Sequence, residues 1–398
     1  MSKRVENKSI HDIYKKKYIL VVALLFLVNT STSANYLEKE QPKSFPSIAL
    51  NVKYGAILPT HKFMKGDNLL GSPLYAFDSY AIKILWQNPG YTYWQKMYKV
   101  PYYGFGFSLS NFFNPGEVGY PVSLYGNIGF PVMRWEKLEL YSDLQLGVAA
   151  NWKGFNPETN PKNVIIGSFI TAHIGIGMML LYPISRYVDV GGGMDFLHFS
   201  NGATKLPNHG FNVLSPSFEF KYHINERPES RKIKPPKEPE WSDNLFFMAG
   251  FGKYQFTEST YTDKYWTMIG FSVIYYKQLA NKFRLGTGTD INYLTGARVH
   301  PEKENTGIQG LENFTVGIGL HPELIIGRLS IIGSLGVYAY HVTNGDFKKI
   351  YQRLGVRYDF GNNLSFGVNI RSINFSVAEF LEFNVGYKVQ RRAYRKNI

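Results

Sequence analysis

Apolar and polar residues alternate with a period of two along most of this chain. In the last such run Leu381, Phe383, Val385, Tyr387 and Val389 share one face, and Glu382, Asn384, Gly386 and Lys388 share the other. Successive side chains of a strand point to opposite faces, so a run of this kind predicts a β-strand with one apolar and one polar face. About sixteen segments qualify, in two sets of eight. The first set lies at 47–57, 76–87, 102–111, 118–132, 136–152, 163–181, 185–199 and 211–223. The second lies at 245–254, 265–278, 281–294, 313–323, 327–342, 349–360, 363–374 and 377–389. Turn formers such as Asn114-Pro115-Gly116, Asn156-Pro157, Asn160-Pro161 and Gly361-Asn362-Asn363 separate them. Apolar-out, polar-in strands of roughly 9–11 residues are the units of an antiparallel transmembrane β-barrel.

A charged, proline-rich stretch at 225–243, including Lys234-Pro235-Pro236-Lys237-Glu238-Pro239, divides the two sets. It has no apolar periodicity and reads as an exposed linker. It exceeds what a tight periplasmic turn needs, which favours two tandem eight-stranded barrels, at 47–224 and 244–390, over one sixteen-stranded barrel. The same strands permit both.

Composition agrees with a barrel. There are 38 Gly, 29 Tyr and 29 Phe, and charged residues make up only 19% of the chain. The absence of cysteine excludes a disulfide framework, a cysteine zinc site and a lipidated cysteine anchor. Lys15, Lys16 and Lys17 precede an apolar run from Tyr18 to Val28, and small residues follow at Ser31, Thr32, Ser33 and Ala34. This pattern predicts a removable secretion signal over residues 1–34, too short for a spanning helix. The net charge is +14, and a basic tail at 391–398 with Lys388 before it contributes five of the positive residues. Export and the lack of a nucleic-acid motif point to lipid phosphates rather than nucleic acid as the anionic partner.

Candidate chemistry concentrates at the end of the seventh strand. His198 and Ser200 are two residues apart and therefore share a face. With a periplasmic start to the first strand, odd strands run outward, so this pair lies at the outer rim. Its row continues through Phe196, Met194 and Val190 and should face lipid, whereas Asp195 and Asp189 occupy the lumenal row. On the eighth strand Asn212 shares a row with Leu214, Phe218 and Phe220, and Glu219 lies on the opposite row with Ser215 and Ser217. Polar groups on a lipid-facing row are tolerated only near the interface. One reading makes Ser200 a nucleophile, His198 its general base and Asn212 the group that fixes the imidazole tautomer. Asn201 and the backbone N–H groups near Gly202 and Ala203 would then be oxyanion donors. The other reading makes all of them ordinary rim residues entering a polar loop.

The run His198-Phe199-Ser200-Asn201-Gly202-Ala203-Thr204-Lys205-Leu206-Pro207-Asn208-His209-Gly210 resembles the catalytic region of the PagL-type lipid A 3-O-deacylases, also called acyloxyacyl hydrolases. The shared features are the His-x-Ser-Asn core and the later Pro-Asn-x-Gly turn. The resemblance implies an eight-stranded outer-membrane barrel that removes an ester-linked acyl chain from lipid A with a serine, a histidine and a glutamate. Residues 47–224 are then the catalytic barrel, acting on lipopolysaccharide at the outer leaflet, without a cofactor. Asn212 stands where the family has its glutamate; a neutral amide orients histidine but stabilises an imidazolium less. The rival function is a non-enzymatic barrel, such as a porin, adhesin or assembly partner, that keeps the rim motif. A homodimer is compatible with either.

The remaining candidates divide between the loop after Ser200 and the barrel walls. Lys205 and Asn208, in the loop after Ser200, are positioned to bind an anionic glycolipid, and His209 could touch a lipid phosphate. His173 reads as a barrel-wall residue. His300 and His321-Pro322-Glu323 lack a second ligand at metal spacing, so no metal is assigned. Gly191 to Gly193 lie mid-strand and suit close packing or curvature. The second half has only His341-Val342-Thr343-Asn344-Gly345, read as a hairpin turn on Asn344-Gly345.

Overall fold

A computed structural model describes residues 44–226, 243–255, 264–295, 311–341, 350–375 and 377–390. The signal segment, most of the linker, the basic tail, His300 and the Asn344-Gly345 turn lie outside the described residues. The chain forms two closed eight-stranded antiparallel barrels, each strand paired with its sequence neighbours and the last paired with the first.

The first barrel comprises β1 (Phe45–Ile57), β2 (Ala76–Gln87), β3 (Tyr102–Asn111), β4 (Gly119–Arg134), β5 (Glu139–Trp152), β6 (Ile170–Pro183), β7 (Val188–Ser200) and β8 (Phe211–His223). It closes where β1 pairs with β8, from Ser47 opposite His223 to Ile57 opposite Val213. The second comprises β9 (Asn244–Tyr254), β10 (Trp266–Ala280), β11 (Phe283–Leu294), β12 (Phe314–Ile326), β13 (Leu329–Tyr340), β14 (Ile350–Asp359), β15 (Leu364–Ile373) and β16 (Val377–Gln390), with β16 pairing β9.

The period of two puts apolar rows outside. On β1, Leu50, Val52 and Tyr54 are exposed while Ala49, Asn51 and Lys53 are buried inside. Apolar belts of this extent are stable only against hydrocarbon, so the strands span a membrane. The interiors are filled with paired polar groups. In the first barrel Lys83 bonds Glu219 at 2.7 Å, Lys53 meets Asp195 at 2.5 Å and Tyr102 donates to Asp143. In the second, Arg353 bonds Asp290 at 2.9 Å, and Glu323 accepts from Arg284 at 2.6 Å and from Arg357. Buried charges persist only when paired in this way.

The first barrel has a loop end and a turn end. At the loop end Phe63, Met64, Phe112, Trp152, Ile165, Phe199 and Phe211 form one apolar plug. The apolar pattern predicts a sixth strand from residue 163, but β6 begins at Ile170. Asn163 instead donates its side-chain amide to the Glu117 and Lys153 carbonyls, and Ile165 and Ile166 turn into the plug. At the turn end a short helix, α1 (Tyr93–Met97), reaches the second barrel. Tyr98 beyond it donates to the Ile325 carbonyl at 2.7 Å, and Lys282 sits 4.4 Å over the Tyr98 ring. Gly327, in the β12–β13 turn, has φ of 68°, and a Cβ there would lie 3.1 Å from Trp94, so only glycine suits both demands.

Candidate active site

β7 and β8 are hydrogen-bonded neighbours, and their register sets His198 directly opposite Asn212. Alternation then turns His198, Ser200 and Asn212 to the outer face at the loop end. The Ser200 hydroxyl lies 2.8 Å from His198 Nε2, and His198 Nδ1 lies 2.7 Å from Asn212 Oδ1. An amide oxygen can only accept, so Nδ1 carries the ring proton and Nε2 is left to accept from the serine hydroxyl. That is the tautomer in which histidine can act as a base toward Ser200.

Although it lies on the lipid-facing row, Ser200 is only 8% exposed. The loop 201–210 folds over it. Gly210 has φ of 73°, and a Cβ there would come within 3.1 Å of His198 Cε1 and 3.2 Å of Ser200 Cβ. Glycine is the residue that lets the loop close this tightly. The Gly210 N–H donates to the Ile165 carbonyl, which anchors the loop to the plug.

Asn201 is the hub of the loop. Its N–H donates to Asn208 Oδ1 at 3.0 Å, and its amide nitrogen donates to the Lys205 carbonyl at 2.6 Å and the Ser168 hydroxyl at 3.0 Å. All its donors are thus engaged within the fold. Asn208, expected to bind substrate, spends its side-chain oxygen on Asn201. The N–H groups of Gly202 and Ala203 donate to no group among the described residues, so of the expected donors these two are left to receive an anion. Both residues are left-handed, with φ of 62° and 61°.

The acids nearest in sequence are elsewhere. Asp195 is paired inside the barrel with Lys53, and Glu219 with Lys83 and Lys221. His173 also lies inside, stacked on Tyr125 and bonded to Ser123 and Gln145. His209 stacks on His61 of the β1–β2 loop, with ring centroids 4.4 Å apart. Burial holds both imidazoles below the ordinary histidine range, and each lies outside the strands. Gly191 and Gly193 are close-packed, since a Cβ at either would strike β6. His321 bonds Ser334 within the second barrel. Ser168 and Gln255, which hold the loop, carried no sequence signal: Ser168 sat in a segment read as strand, and Gln255 belongs to the other barrel.

Two family models match the chain. One, described as lipid A 3-O-deacylase (PagL), matches residues 80–221. The other, described as acyloxyacyl hydrolase, C-terminal domain, matches residues 241–391. No curated protein matches. Among solved structures, the outer membrane enzyme PagL is 17% identical, with 43% of this chain and 97% of that one covered and a TM-score of 0.31. A mutant of the Rh. blastica porin is 8% identical, with 87% and 99% covered and a TM-score of 0.19. The Acinetobacter baumannii outer membrane protein Omp33 is 6% identical, with 88% and 100% covered and a TM-score of 0.18.

Proposed function

Because the chain belongs to the PagL-type lipid A 3-O-deacylase and acyloxyacyl hydrolase family, we propose that it is an outer-membrane esterase that removes an ester-linked acyl chain from lipid A. The observation that carries this reading is the continuous relay from Ser200 through His198 to Asn212, with heavy-atom separations of 2.8 and 2.7 Å. In this reading residues 1–34 direct export, the first barrel is catalytic, and the linker at 225–243 joins it to a companion barrel. The loop end faces outward, as long loops do in outer-membrane barrels, which sets Ser200 level with the outer leaflet where lipid A resides.

Ser200 Oγ attacks the ester carbonyl while its proton passes to His198 Nε2. Negative charge collects on the former carbonyl oxygen, and the Gly202 and Ala203 N–H groups stabilise it. The intermediate collapses with cleavage of the bond to the sugar oxygen, which takes the proton from His198 and leaves as the alcohol. The acyl group is then on Ser200. Water, losing a proton to His198, attacks this acyl ester; Ser200 recovers its proton, and the free fatty acid departs. Asn212 keeps Nδ1 protonated throughout, so that Nε2 is the nitrogen that exchanges protons. An acyl substrate approaches Ser200 from the bilayer side, because His198, Ser200 and Asn212 lie on the outward row of β7 and β8 and not in the lumen.

Mass spectrometry of lipid A from cells making the wild type or Ser200→Ala tests this. The wild type should yield lipid A one acyl chain lighter, and Ser200→Ala should leave it intact. Unchanged acylation with both proteins would overturn the hydrolase reading and favour a non-enzymatic barrel.

A further inference from the structure

The second barrel lacks a His-x-Ser-Asn run, yet it grips the loop that would stabilise the oxyanion. Gln255, directly after β9, is 3% exposed and makes two hydrogen bonds that bracket this loop. Its N–H donates to the Ala203 carbonyl at 3.1 Å, and its side-chain oxygen accepts from the Leu206 N–H at 2.9 Å. Its amide nitrogen donates to the Lys264 carbonyl at 3.1 Å, which fixes the oxygen toward the loop. The apolar exterior of the same barrel presses on the loop as well. A Cβ on Gly202 would lie 3.0 Å from Ile370 Cδ1 and 3.6 Å from Leu381 Cβ.

The bracketed segment is one that needs external support. Gly202 and Ala203 are consecutive left-handed residues, and at Ala203 the Cβ disfavours that conformation. Such a backbone persists where its surroundings over-determine it. Within the first barrel, Thr204 and Asn201 tie the start of the loop, and Gly210 ties its end. Between these, the Asn201 amide holds the Lys205 carbonyl from within the first barrel, and Gln255 of the second barrel brackets the stretch at the Ala203 carbonyl and the Leu206 N–H.

We propose that Gln255 is a positioning residue for the Ser200 site, through which the second barrel holds the Gly202 and Ala203 N–H groups where the oxyanion forms. This rests on the esterase reading above. It gives the companion barrel a part in the reaction: donors displaced by as little as about 1 Å lose much of their effect on the transition state.

The test uses the full-length protein in detergent micelles with lipid A as substrate, comparing wild type, Ser200→Ala and Gln255→Met. Methionine matches glutamine in volume but cannot form the bond to the Leu206 N–H. Heat-modifiable migration on a gel confirms that each variant has folded barrels. Gln255→Met should lower kcat about tenfold with KM within twofold of wild type, because the loop stabilises the transition state and not the ground state. Amide hydrogen exchange at Leu206, which does not depend on turnover, should accelerate at least tenfold. A folded Gln255→Met with wild-type kcat, or with the loss confined to KM, overturns the inference while an inert Ser200→Ala leaves the esterase reading standing. Turnover by Ser200→Ala, or none by wild type, overturns the esterase reading itself. Unchanged exchange at Leu206 overturns the positioning role whatever the activity.

Discussion

At the scale of single residues, the proposed esterase turns on Asn212, which stands where the resemblance to the PagL-type enzymes implies a glutamate. When Ser200 gives up its proton, His198 becomes an imidazolium, and a neutral amide 2.7 Å from Nδ1 orients that ring without balancing its charge. A carboxylate in the same place would do both, and in a site shielded by loop and lipid the charge term is large. Asn212→Glu should therefore raise kcat, and Asn212→Ala should lower it on the order of 100-fold by freeing the imidazole to rotate and tautomerise. Steady-state rates of fatty acid release from lipid A measure both. If Asn212→Glu instead loses activity, asparagine is the proper partner here and the extra methylene displaces the ring. The cross-strand position of Asn212 opposite His198 was legible in the sequence, because counting rows by two along β7 and β8 reaches it. The same counting set Asp195 and Glu219 on the other face, and both are paired with lysines inside the barrel.

At the scale of elements, strands were legible and loops were not. A strand repeats one rule at every second residue, so β2, β3 and β8 emerge with the bounds the alternation gives. A loop has no period, and its order comes from single contacts between distant residues. Asn163, Ile165 and Ile166 looked like the start of β6 because they precede an apolar run, yet their side chains serve the plug and the carbonyls beneath it. The stack of His61 on His209 joins two such loops above the site, and it makes them sensitive to acid. The His61 ring accepts a hydrogen bond from the Phe63 N–H through Nδ1, which protonation would abolish. Both rings titrate below the ordinary value, His61 through burial and then the proximity of His209 and Lys62, and His209 through burial. In an opened loop they would titrate near 6.5, so the closed form is fully favoured above about that pH. As the pH falls below it, the open form binds protons first and the closed form loses ground. Hydrogen exchange at residues 61–67 and 205–210, corrected for intrinsic rates, should accelerate between about pH 7 and pH 5. His61→Asn keeps an acceptor for Phe63 and should flatten that dependence; an identical profile in the variant would sink the idea.

For the molecule as a whole, the linker was the clue that two barrels form rather than one, since strand count alone is neutral between them. What the sequence could not convey is where the barrels touch. Periodicity separates inward from outward rows, but Tyr98 against Ile325 and Gln255 against the 201–210 loop are pairings between outward or loop residues far apart in the chain. Closure into eights has a consequence that a sixteen-stranded ring would not share. Eight strands enclose a space about as wide as the side chains that fill it, whereas sixteen leave an aqueous channel. Lys83 with Glu219 in the first barrel, and Arg353 with Asp290 and Glu382 in the second, are among the paired side chains that fill these interiors. Purified protein in a planar lipid bilayer should accordingly give no stable ohmic steps, and porin-sized steps would refute the filled interiors. The charges also hold the second barrel together. Arg353→Leu would leave Asp290 and Glu382 buried without their shared cation, a loss that typically costs about 3–5 kcal/mol. The variant should convert from its folded to its unfolded gel mobility at a lower temperature than wild type while still failing to conduct, because the remaining side chains keep the bore closed. Conduction by Arg353→Leu would mean that this ion pair, and not the narrowness of an eight-stranded ring, is what seals the second barrel.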